Sequence, residues 1–115
     1  MSPSTREILH HILAETQYLI GASTEVRKEE FLADETLRRA FVRSLEIMGE
    51  AAKKIPPDVR GRYPAIEWRT ISAMRDRLIH DYFGVDYDIV WDVVTVKVPL
   101  LRAQVEVVLR DLPGG

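Results

Sequence analysis

The chain contains no cysteine. That one absence removes disulfides, thiolate catalysis, zinc–thiolate sites and iron–sulfur clusters, and it suits a reducing compartment. No window approaches the ~20 consecutive apolar residues that a membrane helix needs. The N-terminus, MSPSTREILHHILAE, lacks an unbroken apolar stretch of signal-peptide length. The expectation is a soluble, cytoplasmic protein with no membrane partner. Glycine is sparse, and the six present are scattered, so no phosphate-cradling loop exists. There is no internal repeat and no low-complexity tract. A length of 115 residues accommodates one domain, 1–115, around one core.

Charge is present but unevenly placed. The net charge of −2 does not announce a nucleic-acid binder. Residues 1–35 carry a net −4, residues 36–80 a net +5 and residues 81–115 a net −3. The basic middle segment ends in the stretch RDRLIHDYF, which starts at Arg75. Helix surfaces are commonly charged, so this clustering alone does not name a ligand.

Helical periodicity dominates the apolar pattern. Ile8, Leu9, Ile12, Leu13, Leu19 and Ile20 recur at helical spacing behind a Ser4–Glu7 capping box, and Gly21 with Ser23-Thr24 suggests the end of that helix. Asp34 is an N-cap for a second helix, with Leu37, Phe41, Leu45, Met48 and Ala52 on one face. Ala40, Gly49, Ala51 and Ala52 are small and let a neighbouring helix come close. Pro56-Pro57 stops this helix. Val26 to Ala33 predicts a short helical turn, and Asp58 to Pro64 a partly helical linker. A third helix is expected from about Ala65 to His80 or Tyr82. A fourth starts at Asp86 and is kinked by Pro99. Its valines make a strand the competing reading for Ile89 to Val98, but the helical spacing continues past Pro99 and no hairpin partner exists. The expected architecture is all-α, an antiparallel bundle of four to five helices. The fourth helix has more apolar positions than one bundle face can bury, which suggests a homodimer.

RDRLIHDYF holds the residue types for phosphodiester cleavage. A histidine titrating near neutrality can take the proton of an RNA 2′-hydroxyl or give one to the leaving oxygen. An arginine can hold two phosphate oxygens and stabilise the transition-state charge. RNA supplies its own nucleophile, so no serine or cysteine is required. Arg75 and His80 are five residues apart, about 140° around an ideal helix. They meet only if the helix ends or distorts, if the arginine reaches around, or if a second copy contributes. The bland alternative is that Arg, His and Tyr near a helix end are surface or capping residues.

Arg75, His80 and Tyr82 match the R-x4-H-x-Y pattern of the HEPN superfamily, and the chain resembles its HepT-like toxins. LEIMGEAAKKIP, IEWRTISAMRDRLIH and YFGVDYDIVWDVV resemble the HepT-like pattern in the same order, covering roughly residues 35 to 110. The resemblance implies a homodimeric, HEPN-like helical bundle with the motifs near the interface. It implies a metal-independent ribonuclease that acts as the toxin of a type VII toxin–antitoxin system and needs no cofactor. Arg75 and His80 carry over as catalytic residues. Tyr82 carries over as the hydroxyl that a minimal nucleotidyltransferase antitoxin modifies with AMP. Asp76 and Asp81, inside and beside the motif, either orient His80 or simply face solvent; Asp76, four residues before His80, is the preferred candidate to orient it. The run Lys97-Val98-Pro99 departs from the family pattern, which has an acidic residue and leucine before this proline; the motif is untouched. The acidic net charge favours a local RNA contact, such as a tRNA end, over a long groove.

Other candidates are weaker. His10 and His11 are adjacent, so they leave a helix about 100° apart and make poor co-ligands for a metal. Trp68 and Trp91 could stack on bases, but their apolar stripes favour the core or an interface. The alternative to an enzyme is a non-catalytic helical dimer that binds a nucleotide or the nucleotidyltransferase partner.

Overall fold

The computed structural model describes residues 3–80 and 84–113, apart from the side chains of Ile79 and His80. Among these residues the chain is all-α. Its elements are α1 (Thr5–Thr24), α2 (Lys28–Ala33), α3 (Glu35–Lys53), α4 (Pro57–Arg62), α5 (Trp68–His80), α6 (Tyr87–Asp92), a π-helical segment (Val93–Lys97) and α7 (Val98–Asp111). Three long helices and the α6–π–α7 rod form the bundle. The two short helices, α2 and α4, lie where the sequence predicts a turn and a partly helical linker.

Local chemistry explains most of the boundaries. The Ser4 hydroxyl oxygen accepts from the Glu7 N–H at 3.1 Å, one half of the expected capping box. The other half is replaced, because the Ser4 hydroxyl donates to the Glu7 carboxylate at 3.3 Å. α1 ends at the Ser23-Thr24 pair, as expected, three residues beyond Gly21. Asp34 caps α3 by accepting from the Leu37 N–H at 3.0 Å. Pro57 opens α4, where its missing N–H costs nothing. The start of α5 falls three residues later than expected, at Trp68. Its approach is a turn in which the Ile66 and Trp68 amides donate to the Tyr63 and Ile66 carbonyls.

Helix is also the outcome for Ile89 to Val98, but not as one kinked α-helix. Val98 N–H donates to Val93 O, five residues back, within the π segment that precedes Pro99. Pro99 has no N–H to give the Thr95 carbonyl, so the regular ladder cannot run through this point.

Opposing residues define an antiparallel bundle. Ser44 of α3 donates to Glu15 of α1 at 2.7 Å. Arg6, at the start of α1, donates to the Leu109 and Leu112 carbonyls at the end of α7, at 3.2 and 3.0 Å. These acceptors include carbonyls that a helix terminus leaves unpaired. The core contains Leu9, Ile12, Phe41, Leu45, Met48, Val94, Val105 and Val108, all essentially inaccessible. Phe31 joins α2 to it, with ring centroids 4.8 Å from Phe41 and 5.2 Å from Trp91. Trp68 is buried and donates from its indole to Tyr63 O at 3.2 Å, so both tryptophans serve packing. The apolar surplus anticipated for the last helix is real: Ile89, Val96, Leu100 and Val107 remain 42–65% exposed.

The tightest approach is between α3 and α5. A Cβ built on Gly49 would overlap the Arg75 Cβ and lie 2.9 Å from the Ile71 carbonyl oxygen. Gly49→Ala should therefore destabilise the fold. Overpacking costs about 1–3 kcal/mol, against a helix-propensity gain of up to about 1 kcal/mol. Gly21→Ala, with nothing within 4 Å, should be neutral or stabilising. Denaturant midpoints of the two variants check this, and equal midpoints would remove the close contact from the account.

Candidate active site

Helix α5 carries Arg75, Asp76 and His80. The Ile71–Arg75 side of α5 lies against Gly49 of α3. This seats the aliphatic stem of Arg75 on a surface that offers no side chain of its own. Its guanidinium then meets the residues that follow Gly49. Arg75 Nε lies 3.1 Å from Glu50 Oε2 in an ion pair, and Nη1 donates to Asp76 Oδ1 at 3.1 Å. Lys53, one helical turn after Gly49, donates its ammonium to the same Asp76 oxygen.

The result is a four-membered ionic cluster, Glu50–Arg75–Asp76–Lys53, built across two helices. The Arg75 side chain is only 28% exposed, and its two ion pairs seat its head at the rim of the bundle. A guanidinium has five N–H donors. Two are recorded in ion pairs, which leaves the outer face able to receive phosphate oxygens. The Lys53 ammonium, and then the Arg75 guanidinium, hold the Asp76 carboxyl below the usual aspartate range.

The four residues singled out from the sequence fare differently. Arg75 and Asp76 are in contact. Asp76 engages Lys53 and Arg75, so within the described structure the group it positions is the arginine. His80 is a residue of α5, but its ring is not among the described side chains. Tyr82, like Asp81, lies outside the described residues. Sequence reasoning missed Glu50 and Lys53. The only signal for them was their place next to a small residue on the helix preceding the double proline. No group of three or more His, Asp or Glu residues that could hold a metal ion occurs among the described residues.

The cluster has a pH signature. Because the folded-state pKa of Asp76 is depressed, its contribution to stability is complete above the unfolded-state value. It is lost as pH falls through the folded-state value. Lys53→Met removes the largest cause and should raise the Asp76 titration midpoint, followed by carboxyl-carbon NMR. An unmoved midpoint would show that Lys53 does not hold Asp76 in solution.

Comparison with known proteins places this chain in a family. Residues 8–108 match the family model described as ribonuclease HepT-like. A candidate RNase of Caldanaerobacter subterraneus subsp. tengcongensis is 45% identical over 105 residues, covering 91% of this chain and 94% of that protein. A probable ribonuclease HepT of Thermococcus cleftensis is 39% identical, over 92% of this chain and 96% of that protein. A candidate RNase of Methanocaldococcus jannaschii is 38% identical, over 95% of this chain and 90% of that protein. No solved structure matches the chain. With a family model spanning nearly all of α1 to α7, and relatives matching over nine-tenths or more of both chains, this chain belongs to the ribonuclease HepT-like family.

Proposed function

We propose that the protein is a metal-independent endoribonuclease, the toxin of a type VII toxin–antitoxin system, and that AMPylation of Tyr82 neutralises it. The observation that carries this reading is Arg75. It is a motif arginine held at the rim of the bundle with donors to spare, in a chain whose relatives bear ribonuclease names.

In the reaction the 2′-oxygen of RNA attacks the adjacent phosphorus and the bond to the 5′-oxygen breaks. His80 moves the proton, as base toward the 2′-hydroxyl or as acid toward the leaving oxygen. Arg75 binds the non-bridging oxygens, whose charge grows in the transition state. Asp76 and Glu50 hold the guanidinium in place, and Asp76 has a second role in orienting His80, one turn further along α5. In a homodimer one histidine can serve as base and the other as acid. The exposed Ile89, Val96, Leu100 and Val107 supply apolar surface for such an assembly. The substrate is an RNA with a small contact, such as a tRNA end.

Control follows from charge. The antitoxin, a minimal nucleotidyltransferase, transfers AMP from ATP. The Tyr82 oxygen attacks the α-phosphorus, pyrophosphate leaves, and the phenolic proton passes to solvent. The attached phosphate places negative charge where RNA must bind, and its bulk blocks the approach.

His80→Ala should lower single-turnover cleavage by roughly 10²- to 10⁴-fold, the usual contribution of general acid–base catalysis, with helicity and dimer mass unchanged. Loss of the fold would instead make His80 structural. Intact-mass spectrometry after co-production with a minimal nucleotidyltransferase should show added AMP mapping to Tyr82. Tyr82→Phe should remain active and unmodified; AMP found on another residue would remove Tyr82 from this role.

A further inference from the structure

Arg75 faces two ways. Besides the ionic cluster, it lines a cavity of about 250 Å³ between α1, α3 and α5. The apolar part of the lining is Pro3, Ile8, Ile47 and Ala51, and His11 stands beside it. Arg43 and Lys54 are both exposed and add positive charge along α3. Neither makes an ion pair among the described residues. The lining carboxylates do not cancel this charge. Glu50 is bound to Arg75. Glu46 can only accept, so it suits the amino group of a base better than a phosphate.

We propose that this cavity is a nucleotide seat: it receives one unstacked nucleotide of the RNA strand, next to the phosphodiester that Arg75 binds. The inference rests on the ribonuclease reading and deepens it. Three chemical features converge on this occupant. Single-stranded RNA is recognised through splayed-out bases that stack on imidazole and guanidinium planes. The apolar lining takes the face of a base, and His11 supplies a plane to stack on. The flanking cations take the strand's phosphates. The groove between α5 and α6 offers a contrast. Leu45, Met74, Leu78, Ile89 and Val90 make it apolar, with Arg77 as its one cation, which suits a protein surface better than a nucleotide.

The seat also explains how an acidic protein holds RNA. It needs no long basic groove, because one base and its neighbouring phosphates provide the contact. Ala51 sets the room available, since a larger side chain there would occupy the space of the base.

The test uses the full chain carrying His80→Ala and a 2′-O-methyl single-stranded RNA octamer, which lacks the nucleophile. Fluorescence anisotropy gives the affinity. In this background Arg43→Glu/Lys54→Glu and, separately, Ala51→Trp should each weaken binding at least tenfold. Arg69→Glu/Arg110→Glu, the same charge change elsewhere on the surface, should weaken it less. Ala51→Trp alters no charge, so its effect reports on the seat itself. If that variant does not fold, the paired charge variants decide. Affinities unchanged by the cavity variants, or reduced no more than by the surface control, would overturn the seat. So would absence of binding by the parent. Cleavage by the unmodified chain is scored separately. Cleavage with cavity-independent binding sinks the seat alone. Cavity-dependent binding without cleavage supports the seat and sinks the ribonuclease reading.

Discussion

The arrangement around Arg75 depends on one close contact, the passage of α5 over Gly49. Helices normally keep a side chain's width between their backbones. Here α3 contributes only a hydrogen, and the stem of Arg75 occupies the space a methyl group would need. The approach brings Glu50 and Lys53 level with Arg75 and Asp76, so two helices share one ionic cluster. Partly exposed, solvent-screened ion pairs contribute little to stability. The cluster therefore matters less for stability than for position. It holds a long, flexible cation at one place on the rim, where a phosphate can meet it without the cost of ordering the side chain.

The rest of the bundle keeps that contact in register. Arg6 fastens the start of α1 to the carbonyls at the end of α7. The Phe31, Phe41 and Trp91 rings lock α2, α3 and α6 together. The π segment absorbs the break that Pro99 imposes while keeping Val94 before the proline and Leu101 after it buried. What remains outside is an apolar row on the last helices and a basic segment beside the motif.

Electrostatics reconciles an acidic protein with an anionic substrate. The positive charge is gathered on α3, α4 and α5, while the acidic ends of the chain lie elsewhere in sequence. At physiological salt, exposed charges beyond about 8 Å are largely screened. The local field near Arg75, Arg43 and Lys54 thus counts for more than the net charge.

The sequence by itself determined the helices, because capping and periodicity act within a few residues. Ser4, Asp34, Asp86 and the double proline mark the elements, and apolar spacing separated helix from strand in the valine-rich segment. The family, too, was legible from R-x4-H-x-Y set among blocks in register. Tertiary structure decided what those blocks touch. That Glu50 and Lys53 face Arg75 and Asp76, that Gly49 is the crossing point, and that His11, Arg43 and Lys54 share a cavity with the motif arginine all depend on residues 21 to 64 positions apart. The small residues permitted close approach but could not say which helix would take it. The π segment has the same character: a proline announces that the ladder must break, and packing on both sides decides how.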